Sequence, residues 1–208
     1  MDDLFDKINQ LKNSEIANII QNRCKEFSSF KNSKIEDIFK ELCFCIMTAN
    51  CGALKCIEVS EKINDGFLTL DELELAKKLK QLGYRFPNVR AQYIIEARQK
   101  IKELEELLKI EKDAKIIRAW LVKNIKGLGL KESSHFLRNI GFFDVAIIDF
   151  HIIDLLVKIG LIQKLKSLTK AKYLEIEAIL KELSDKVSLT LGELDLFLWY
   201  LETGKVLK

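Results

Sequence analysis

The sequence predicts an all-α protein. Apolar residues recur at three- and four-residue spacing along almost the whole chain of 208 residues, which is the period of an amphipathic helix. One proline and nine glycines are too few for the many tight turns of a β-rich fold. About ten helices are expected, with no obvious linker and no long internal repeat.

Capping and turn residues set the expected helix boundaries. Ser33 is expected to cap the helix that enters a cysteine-rich stretch, and Thr69 begins TLDE, the pattern of a capping box. One long helix is expected from about Val89 to Leu108. The later expected helices are, in chain order, about 113–124, 131–140, 150–160 with Asp149 as N-cap, 169–187 and 191–201.

Composition places few limits on function. The net charge of +3 is compatible with nucleic-acid binding but does not decide it. The N-terminal MDDLFDKINQLKN has no long apolar run, and the later stretch VAIIDFHIIDLLVKIG is interrupted by charged residues. A signal peptide and a membrane span are therefore not expected, and a cytoplasmic location is.

The five cysteines are expected to be buried free thiols. Four of them lie in LCFCIMTANCGALKC, and the fifth is Cys24. Their number is odd and no CxxC pair occurs, which argues against disulfides and against a metal site. The two histidines, His135 and His151, are too far apart in sequence to indicate one.

The segment GLGLKESSHFLRN at residues 127–139 predicts a helix–hairpin–helix. Gly127 and Gly129 allow a tight turn and a close approach of another backbone, and the following helix N-terminus offers amides to a phosphate. Lys131, His135 and Arg138 share one helical face and would add positive charge. Such a motif binds the DNA backbone without reading bases. An ordinary glycine-capped turn between two helices is the alternative.

GLGLK, followed 18 residues after its lysine by Asp149 at the start of DFH, resembles the helix–hairpin–helix DNA glycosylases of the endonuclease III superfamily. In that superfamily the lysine is the nucleophile of the bifunctional members and the aspartate assists it. The resemblance therefore implies that Lys131 and Asp149 are catalytic. The alternatives are a phosphate contact for Lys131 and a simple N-cap for Asp149. The iron–sulfur cysteines of endonuclease III itself have no counterpart here.

Three segments resemble the compact archaeal-type 8-oxoguanine DNA glycosylase/AP lyases, and the likeness covers nearly the whole chain. They are GYRFPNVRAQYIIEAR (83–98), KGLGLKESSHFLRNIG (126–141) and LDLFLWYLETGKVLK (194–208). The resemblance implies two helical lobes with DNA in the cleft between them. Residues 30–140, approximately, would form a helical barrel lobe ending in the hairpin, and residues 1–29 plus 141–208 the second lobe.

The same resemblance implies a base pocket. The α-carboxylate of Lys208 would accept the N7 hydrogen that distinguishes 8-oxoguanine from guanine, and Trp199 and Phe86 would stack on the flipped base. Asn50 would fill the gap left in the duplex. Each has a structural alternative: a frayed tail for Lys208, core positions for Trp199 and Phe86, and a cap beside Gly52 for Asn50.

The implied function is base excision repair by a bifunctional glycosylase and AP lyase. Its partner is double-stranded DNA containing 8-oxoguanine, and a monomer is expected. No redox cofactor or catalytic divalent metal is expected, although the superfamily suggests a monovalent cation on the hairpin carbonyls. The alternatives are a glycosylase for oxidised pyrimidines, a non-catalytic helix–hairpin–helix DNA-binding module and a helical protein–protein adaptor.

Overall fold

The computed structural model describes residues 2–208, with side chains from residue 4 onward. In chain order the helices are α1 (Asp2–Lys12), α2 (Glu15–Ser29), α3 (Ile35–Thr48), α4 (Ala53–Ile63), α5 (Gly66–Thr69), α6 (Glu72–Gln81), α7 (Pro87–Arg98), α8 (Ile101–Ile110), α9 (Ala114–Asn124), α10 (Leu130–Asn139), α11 (Phe150–Lys158), α12 (Lys170–Lys186) and α13 (Leu191–Thr203). A short 3₁₀-helix, Phe30–Asn32, follows α2, and the described residues contain no strand. The all-α prediction is confirmed for this part of the chain.

Two expected caps are wrong by one or two residues. The N-cap of α3 is Lys34, which makes no side-chain cap bond, because the Ser33 amide instead closes the 3₁₀-helix on Phe30 O at 3.0 Å. The capping box of α6 is formed by Asp71 and Glu74, since Thr69 is the last residue of α5. Both starts lie close to a preceding short helix that periodicity does not resolve.

The long helix expected from about Val89 to Leu108 is also wrong, because it is two helices. The Gln99 and Lys100 amides donate to the carbonyls of Glu96 and Ala97, three residues back, and these bonds tighten the last turn of α7. The Arg98 guanidinium donates to Phe67 O at 2.6 Å and so ties this turn to α5. Neither glycine nor proline marks the break in the sequence.

The buried apolar side chains of residues 4–208 form three clusters. The first, here called the central cluster, takes its members from residues 38–145. The second, the terminal cluster, joins Leu4 and Ile8 of α1 to residues 146–198. A third, smaller cluster packs α2 against Leu196 and Phe197 of α13.

The cysteines are free thiols throughout the described residues. Cys24, Cys43, Cys45 and Cys56 are buried as expected, whereas Cys51 is partly exposed. Burial raises the pKa of the Cys43 and Cys45 thiols well above their usual range, so both stay protonated.

Helix α10 determines what the hairpin presents. It packs against α3 and α9, and every residue from 133 to 139 is buried. Only its first turn, with Leu130, Lys131 and Glu132, reaches the surface. The hairpin therefore presents only the N-terminal turn of α10 and its side chains to solvent.

No helix in the described part of the chain is long and apolar enough to cross a bilayer.

Candidate active site at the hairpin

The turn between α9 and α10 occupies residues 125–129, where the sequence predicts it. Gly127 has φ +86°, and a Cβ atom there would lie 2.7 Å from Cδ2 of Tyr93. A side chain would therefore be strained by backbone conformation and by contact at once. Leu128 is buried and anchors the turn in the central cluster.

Gly129 has a different role from Gly127. Its φ of −92° is open to any residue, and its amide donates to Oε2 of Glu132 at 3.3 Å. The Glu132 carboxylate thus occupies one of the amides that a phosphate would use at this helix start. A bound phosphate must displace it or use the neighbouring amides.

Lys131 is the second residue of α10, and its side chain is 26% exposed. Its ammonium lies 3.2 Å from Oε1 of Glu132. Among the described side chains, this ion pair, rather than one with Asp149, holds Lys131. The amine must leave Glu132 and lose a proton before it can act as a nucleophile.

Asp149 is the N-cap of α11, as the sequence predicts. Its Oδ1 atom accepts a hydrogen bond from the Ile152 amide at 3.0 Å. This bond fixes the carboxylate and leaves Oδ2 outside the cap. The capping role and a role in chemistry are therefore compatible.

Asp195 of α13 is a third acidic group that sequence reasoning missed. Its Oδ2 atom lies 2.9 Å from Nη1 of Arg138. Burial raises the pKa of Asp195 to about 7. The charge of Asp149 adds to this rise, whereas the charges of Arg138 and Lys131 oppose it. Lys131, at the start of α10, and Asp149, at the start of α11, therefore both act on the charge of the same carboxylate.

The expectation that His135 and Arg138 add positive charge for DNA is wrong. Their exposures are 8% and 3%, because this face of α10 packs inward. Arg138 is paired with Asp195. Burial first, and then the charges of Arg138 and Lys131, hold the pKa of His135 well below its usual range, so its ring is neutral.

A buried ion pair supports the segment that precedes Asp149. Arg118 of α9 and Glu177 of α12 form a bidentate pair with distances of 2.5 and 2.7 Å. Glu177 Oε1 also accepts the Ala146 amide at 2.8 Å. The signal for this pair in the sequence is a charged residue on the apolar face of each helix.

Tyr173 also holds the segment that precedes Asp149. Its hydroxyl donates to Ala146 O at 2.6 Å and accepts from the Ile148 amide at 3.3 Å. Since Ala146 and Ile148 directly precede Asp149, the entry into α11 is fixed by side chains of α9 and α12. Positioning of this kind keeps a catalytic carboxylate in one geometry.

Phe86 and Trp199, the two candidate stacking residues, are partly buried. The Phe86 ring lies under the guanidinium groups of Arg85 and Arg90, at 4.9 and 5.7 Å. The Trp199 ring meets the ring of His151 edge-on at 4.9 Å, and its buried Nε1 has no hydrogen-bond partner among the described residues. Neither ring is enclosed in the core, so both keep surface that can face a base.

Lys208 is docked against the protein. Its ammonium lies 2.8 Å from Oε2 of Glu41 and 4.2 Å from the ring centre of Phe44. Phe44, which Lys208 contacts, packs edge-on against His135, and His135 lies one helical turn after Lys131 on α10.

Asn50 lies in the turn between α3 and α4. Its φ is +59°, a conformation that asparagine tolerates better than most residues, and its side chain is exposed. The N-cap of α4 is Gly52, with no side-chain cap bond, so Asn50 does not cap that helix. Arg90 links this turn to Phe86, because it donates to Ala49 O at 2.9 Å and lies over the Phe86 ring.

No group of three or more His, Cys, Asp or Glu side chains that could hold a metal ion is found within residues 2–208.

A glycine hairpin, a lysine on the partly exposed first turn of the next helix and an aspartate that caps the helix after it are the features of the helix–hairpin–helix DNA glycosylases. A sequence model of the 8-oxoguanine DNA glycosylase family matches residues 20–189. The chain belongs to this family.

Relatives match over their full length. The chain is 51% identical, over 100% of its length and 99% of the relative's, to a protein of Korarchaeum cryptofilum named 8-oxoguanine DNA glycosylase/AP lyase. It is 53% identical to the Methanocaldococcus jannaschii protein of the same name, over 99% of each chain.

Solved structures agree with the fold. The M. jannaschii 8-oxoguanine glycosylase/lyase in complex with a 15mer DNA containing 8-oxoguanine superposes with a TM-score of 0.95, at 52% identity over 99% of each chain. The 8-oxoguanine DNA glycosylase of Thermotoga maritima gives a TM-score of 0.93 at 39% identity, over 100% of this chain and 99% of that one.

Proposed function

We propose that this chain is a bifunctional DNA glycosylase and AP lyase that removes 8-oxoguanine from double-stranded DNA. The observation that carries the proposal is the position of Lys131, on the partly exposed first turn of the helix that follows the glycine hairpin. Full-length identity of 51% and 53% to proteins named for this activity supports it.

The chemistry begins with a flipped nucleotide. C1′ of the damaged nucleotide is out of reach within the duplex, so the nucleotide must leave the base stack. The neutral Lys131 amine attacks C1′, and the electron pair of the breaking glycosidic bond leaves with the base, which takes up a proton. The Lys131 nitrogen then passes one proton to the ring oxygen O4′ as the C1′–O4′ bond breaks, and the open sugar is left as a protonated Schiff base.

The same intermediate leads to strand cleavage. Loss of a proton from C2′ and departure of the 3′ phosphate, with its bonding electron pair, complete a β-elimination. Water then hydrolyses the Schiff base and returns the lysine amine. Lys131 therefore serves both activities.

Asp149 stabilises the positive charge that develops on the sugar. Its cap bond to Ile152 holds the carboxylate in place before the substrate arrives, and a fixed charge needs no reorganisation during the reaction. Its Oδ2 atom, outside the cap, is the one available for this role.

The base pocket is proposed to combine Phe86, Trp199 and Lys208. The two rings would stack on the flipped purine, and an acceptor oxygen of the Lys208 main chain would take the N7 hydrogen of the lesion. Guanine has a lone pair at N7, so the same acceptor would repel it. The docking of Lys208 on Glu41 and Phe44 supports this role, since a mobile acceptor would discriminate poorly.

The DNA would lie across the hairpin. Gly127 and Gly129 would bring the backbone amides of the turn to a phosphate, and Asn50 would enter the gap left by the flipped nucleotide. Carbonyl oxygens of residues 125–129 are suitable ligands for a monovalent cation at the turn. The protein would act as a monomer on the nucleoid DNA of the cytoplasm.

Two lobes on either side of this cleft are part of the proposal. The barrel lobe would be residues 30–140, approximately, and the second lobe residues 1–29 plus 141–208. The division of buried residues between the central cluster and the other two clusters supports it.

Base release from three duplexes tests the substrate. One carries a single 8-oxoguanine, one a thymine glycol and one only normal bases. Release from the first alone is expected. Release of thymine glycol instead would contradict the purine assignment and keep the chemistry, whereas salt-sensitive binding without release of any base would indicate a non-catalytic module.

A further inference from the structure

Glu41 of α3 is a buried carboxylate, 6% exposed, and both of its oxygens are occupied. Oε1 accepts a hydrogen bond from Nδ2 of Asn139 at 2.6 Å. Oε2 accepts one from Nζ of Lys208 at 2.8 Å. A carboxylate is costly to bury, and it is tolerated here because each oxygen has a strong donor.

The contacts continue beyond Asn139. Its Oδ1 atom accepts from Nε of Arg138 at 2.9 Å, and Arg138 pairs with Asp195. Polar contacts through Glu41, Asn139 and Arg138 thus connect Lys208 to Asp195. Asn139 therefore cannot turn away from Glu41 without giving up Arg138 as well.

Glu41 is not the only contact of the Lys208 side chain within the described residues. Its Nζ lies 4.2 Å from the ring centre of Phe44, and that ring packs edge-on against His135 with 5.6 Å between centres. The Lys208 main chain raises the pKa of His135 and so partly offsets the lowering by burial. Contacts from α3 thus hold the side chain of Lys208, and the His135 ring of α10 packs behind Phe44.

We propose that Glu41, oriented by Asn139, is a positioning residue that sets the place of the Lys208 main chain and thereby the selectivity for 8-oxoguanine. The inference rests on the proposed function, in which Lys208 reads the base. Glu41 does not touch the substrate. It acts through Lys208, whose main-chain oxygen must stand where the N7 hydrogen of the lesion arrives.

A purely structural role predicts something else. A buried ion pair contributes little net stability compared with an apolar pair of the same volume. If Glu41 served only the fold, its loss would lower the unfolding temperature and would reduce base excision and lyase activity together. A positioning role separates the two activities, because cleavage at an existing abasic site requires no base to be read.

The test uses Lys208→Met, Glu41→Gln and the double variant. Lys208→Met keeps the main chain and removes the ammonium from a partly exposed position, so it is expected to fold. Single-turnover excision of 8-oxoguanine is measured beside lyase cleavage of a preformed abasic site. We expect the ratio of excision rate to lyase rate to fall ~10- to 100-fold in Lys208→Met, which is the effect of losing one hydrogen bond to a charged group.

Non-additivity and rescue sharpen the result. The ratio of excision rate to lyase rate in the double variant is expected to be no lower than in the more impaired of the two single variants, since both changes remove the same contact. Lys208→Arg keeps a donor for Glu41 and is expected to retain most of the selectivity. Lys172→Met removes an exposed lysine paired with Glu175 at 2.7 Å and is expected to change neither activity, so it controls for the substitution itself.

Two results would overturn the inference. In the first, Lys208→Met and Glu41→Gln both keep the wild-type ratio of excision rate to lyase rate, while deletion of Lys208 abolishes selectivity. Lys208 would then read the base without being positioned by Glu41. The other is strict additivity in the double variant. Failure of the wild type to release 8-oxoguanine would instead contradict the proposed function itself.

Discussion

At the scale of single residues, Asp149 combines a structural task with a proposed chemical one. Its Oδ1 atom caps α11 through the Ile152 amide, while its charge acts on Asp195 and, in the proposed mechanism, on the sugar. The two tasks make different demands. A cap needs an acceptor atom, whereas stabilisation of a cationic sugar needs a full negative charge.

Asparagine and alanine separate the two tasks of Asp149. Asp149→Asn keeps a capping oxygen, so its free energy of unfolding should stay close to that of the wild type, whereas Asp149→Ala should lose about 1 kcal/mol. Both should reduce the single-turnover excision rate by roughly 10²- to 10³-fold, because both remove the charge. Urea unfolding and single-turnover kinetics measure the two effects. Wild-type excision by Asp149→Asn would show that Asp149 is a cap alone.

The site residues differ in how far the sequence could predict them. Lys131 and Asp149 could be singled out because their motif and spacing resemble those of the endonuclease III superfamily. Asp195 and Glu41 do not, because their partners lie 57 and 98 residues away in the chain. Burial of Arg138 could not be predicted either, since α10 has the polar face of an amphipathic helix in sequence and yet residues 133–139 are all buried.

At the scale of elements, the hairpin depends on one of its two glycines more than on the other. Gly127 combines a positive φ with a close approach to Tyr93, whereas Gly129 has an ordinary φ and faces only the flexible end of Glu132. A similar positive φ occurs at Gly160, after α11, where nothing lies within 4 Å of an added Cβ. Gly160 is therefore the matched control for Gly127.

Substitution of Gly127 by alanine should weaken both the fold and DNA binding. We expect Gly160→Ala to lose about 1 kcal/mol of unfolding free energy from backbone strain alone. Gly127→Ala should lose roughly 2–3 kcal/mol, since the Tyr93 contact adds to the strain. Chemical denaturation gives these values, and a fluorescence titration gives DNA affinity, which should fall only in Gly127→Ala. Equal losses of stability in the two variants would contradict the role of Tyr93.

Helix boundaries were predictable where turn or capping residues marked them, and less so elsewhere. The hairpin and the Asp149 cap are where the sequence predicts them, and α12 starts at Lys170, one residue after the expected start. The break between α7 and α8 is not, because it is made by three-residue hydrogen bonds and by the tie from Arg98 to Phe67. Contacts of that kind are tertiary and leave no local pattern.

At the scale of the whole molecule, one buried ion pair connects the helices that surround the site. Arg118 lies on α9, before the hairpin, and Glu177 lies on α12, in the terminal part of the chain. Their side chains are 4% and 7% exposed, and Glu177 also holds the backbone just before Asp149. The pair therefore couples the position of Asp149 to the packing of α9 and α12.

Neutralising Glu177 should be costly. Glu177→Gln leaves the Arg118 charge buried without a counter-charge, and we expect a loss of roughly 3–5 kcal/mol in unfolding free energy. Glu175→Gln removes an exposed pair on the same helix, with side chains 46% and 58% exposed, and should lose less than about 1 kcal/mol. Urea unfolding of both variants is the measurement. Similar small losses in both would mean that the Arg118 charge is compensated elsewhere.

In the proposed mechanism, Lys131 forms a Schiff base with the nucleotide that carried 8-oxoguanine. Borohydride reduction during turnover of a duplex with one 8-oxoguanine tests it most directly, because it converts that intermediate into a stable covalent adduct. We predict an adduct with the wild-type protein and none with Lys131→Gln, while the variant still binds the duplex. An adduct that persists in Lys131→Gln, or base release by the wild type without any adduct, would contradict the assignment of the nucleophile.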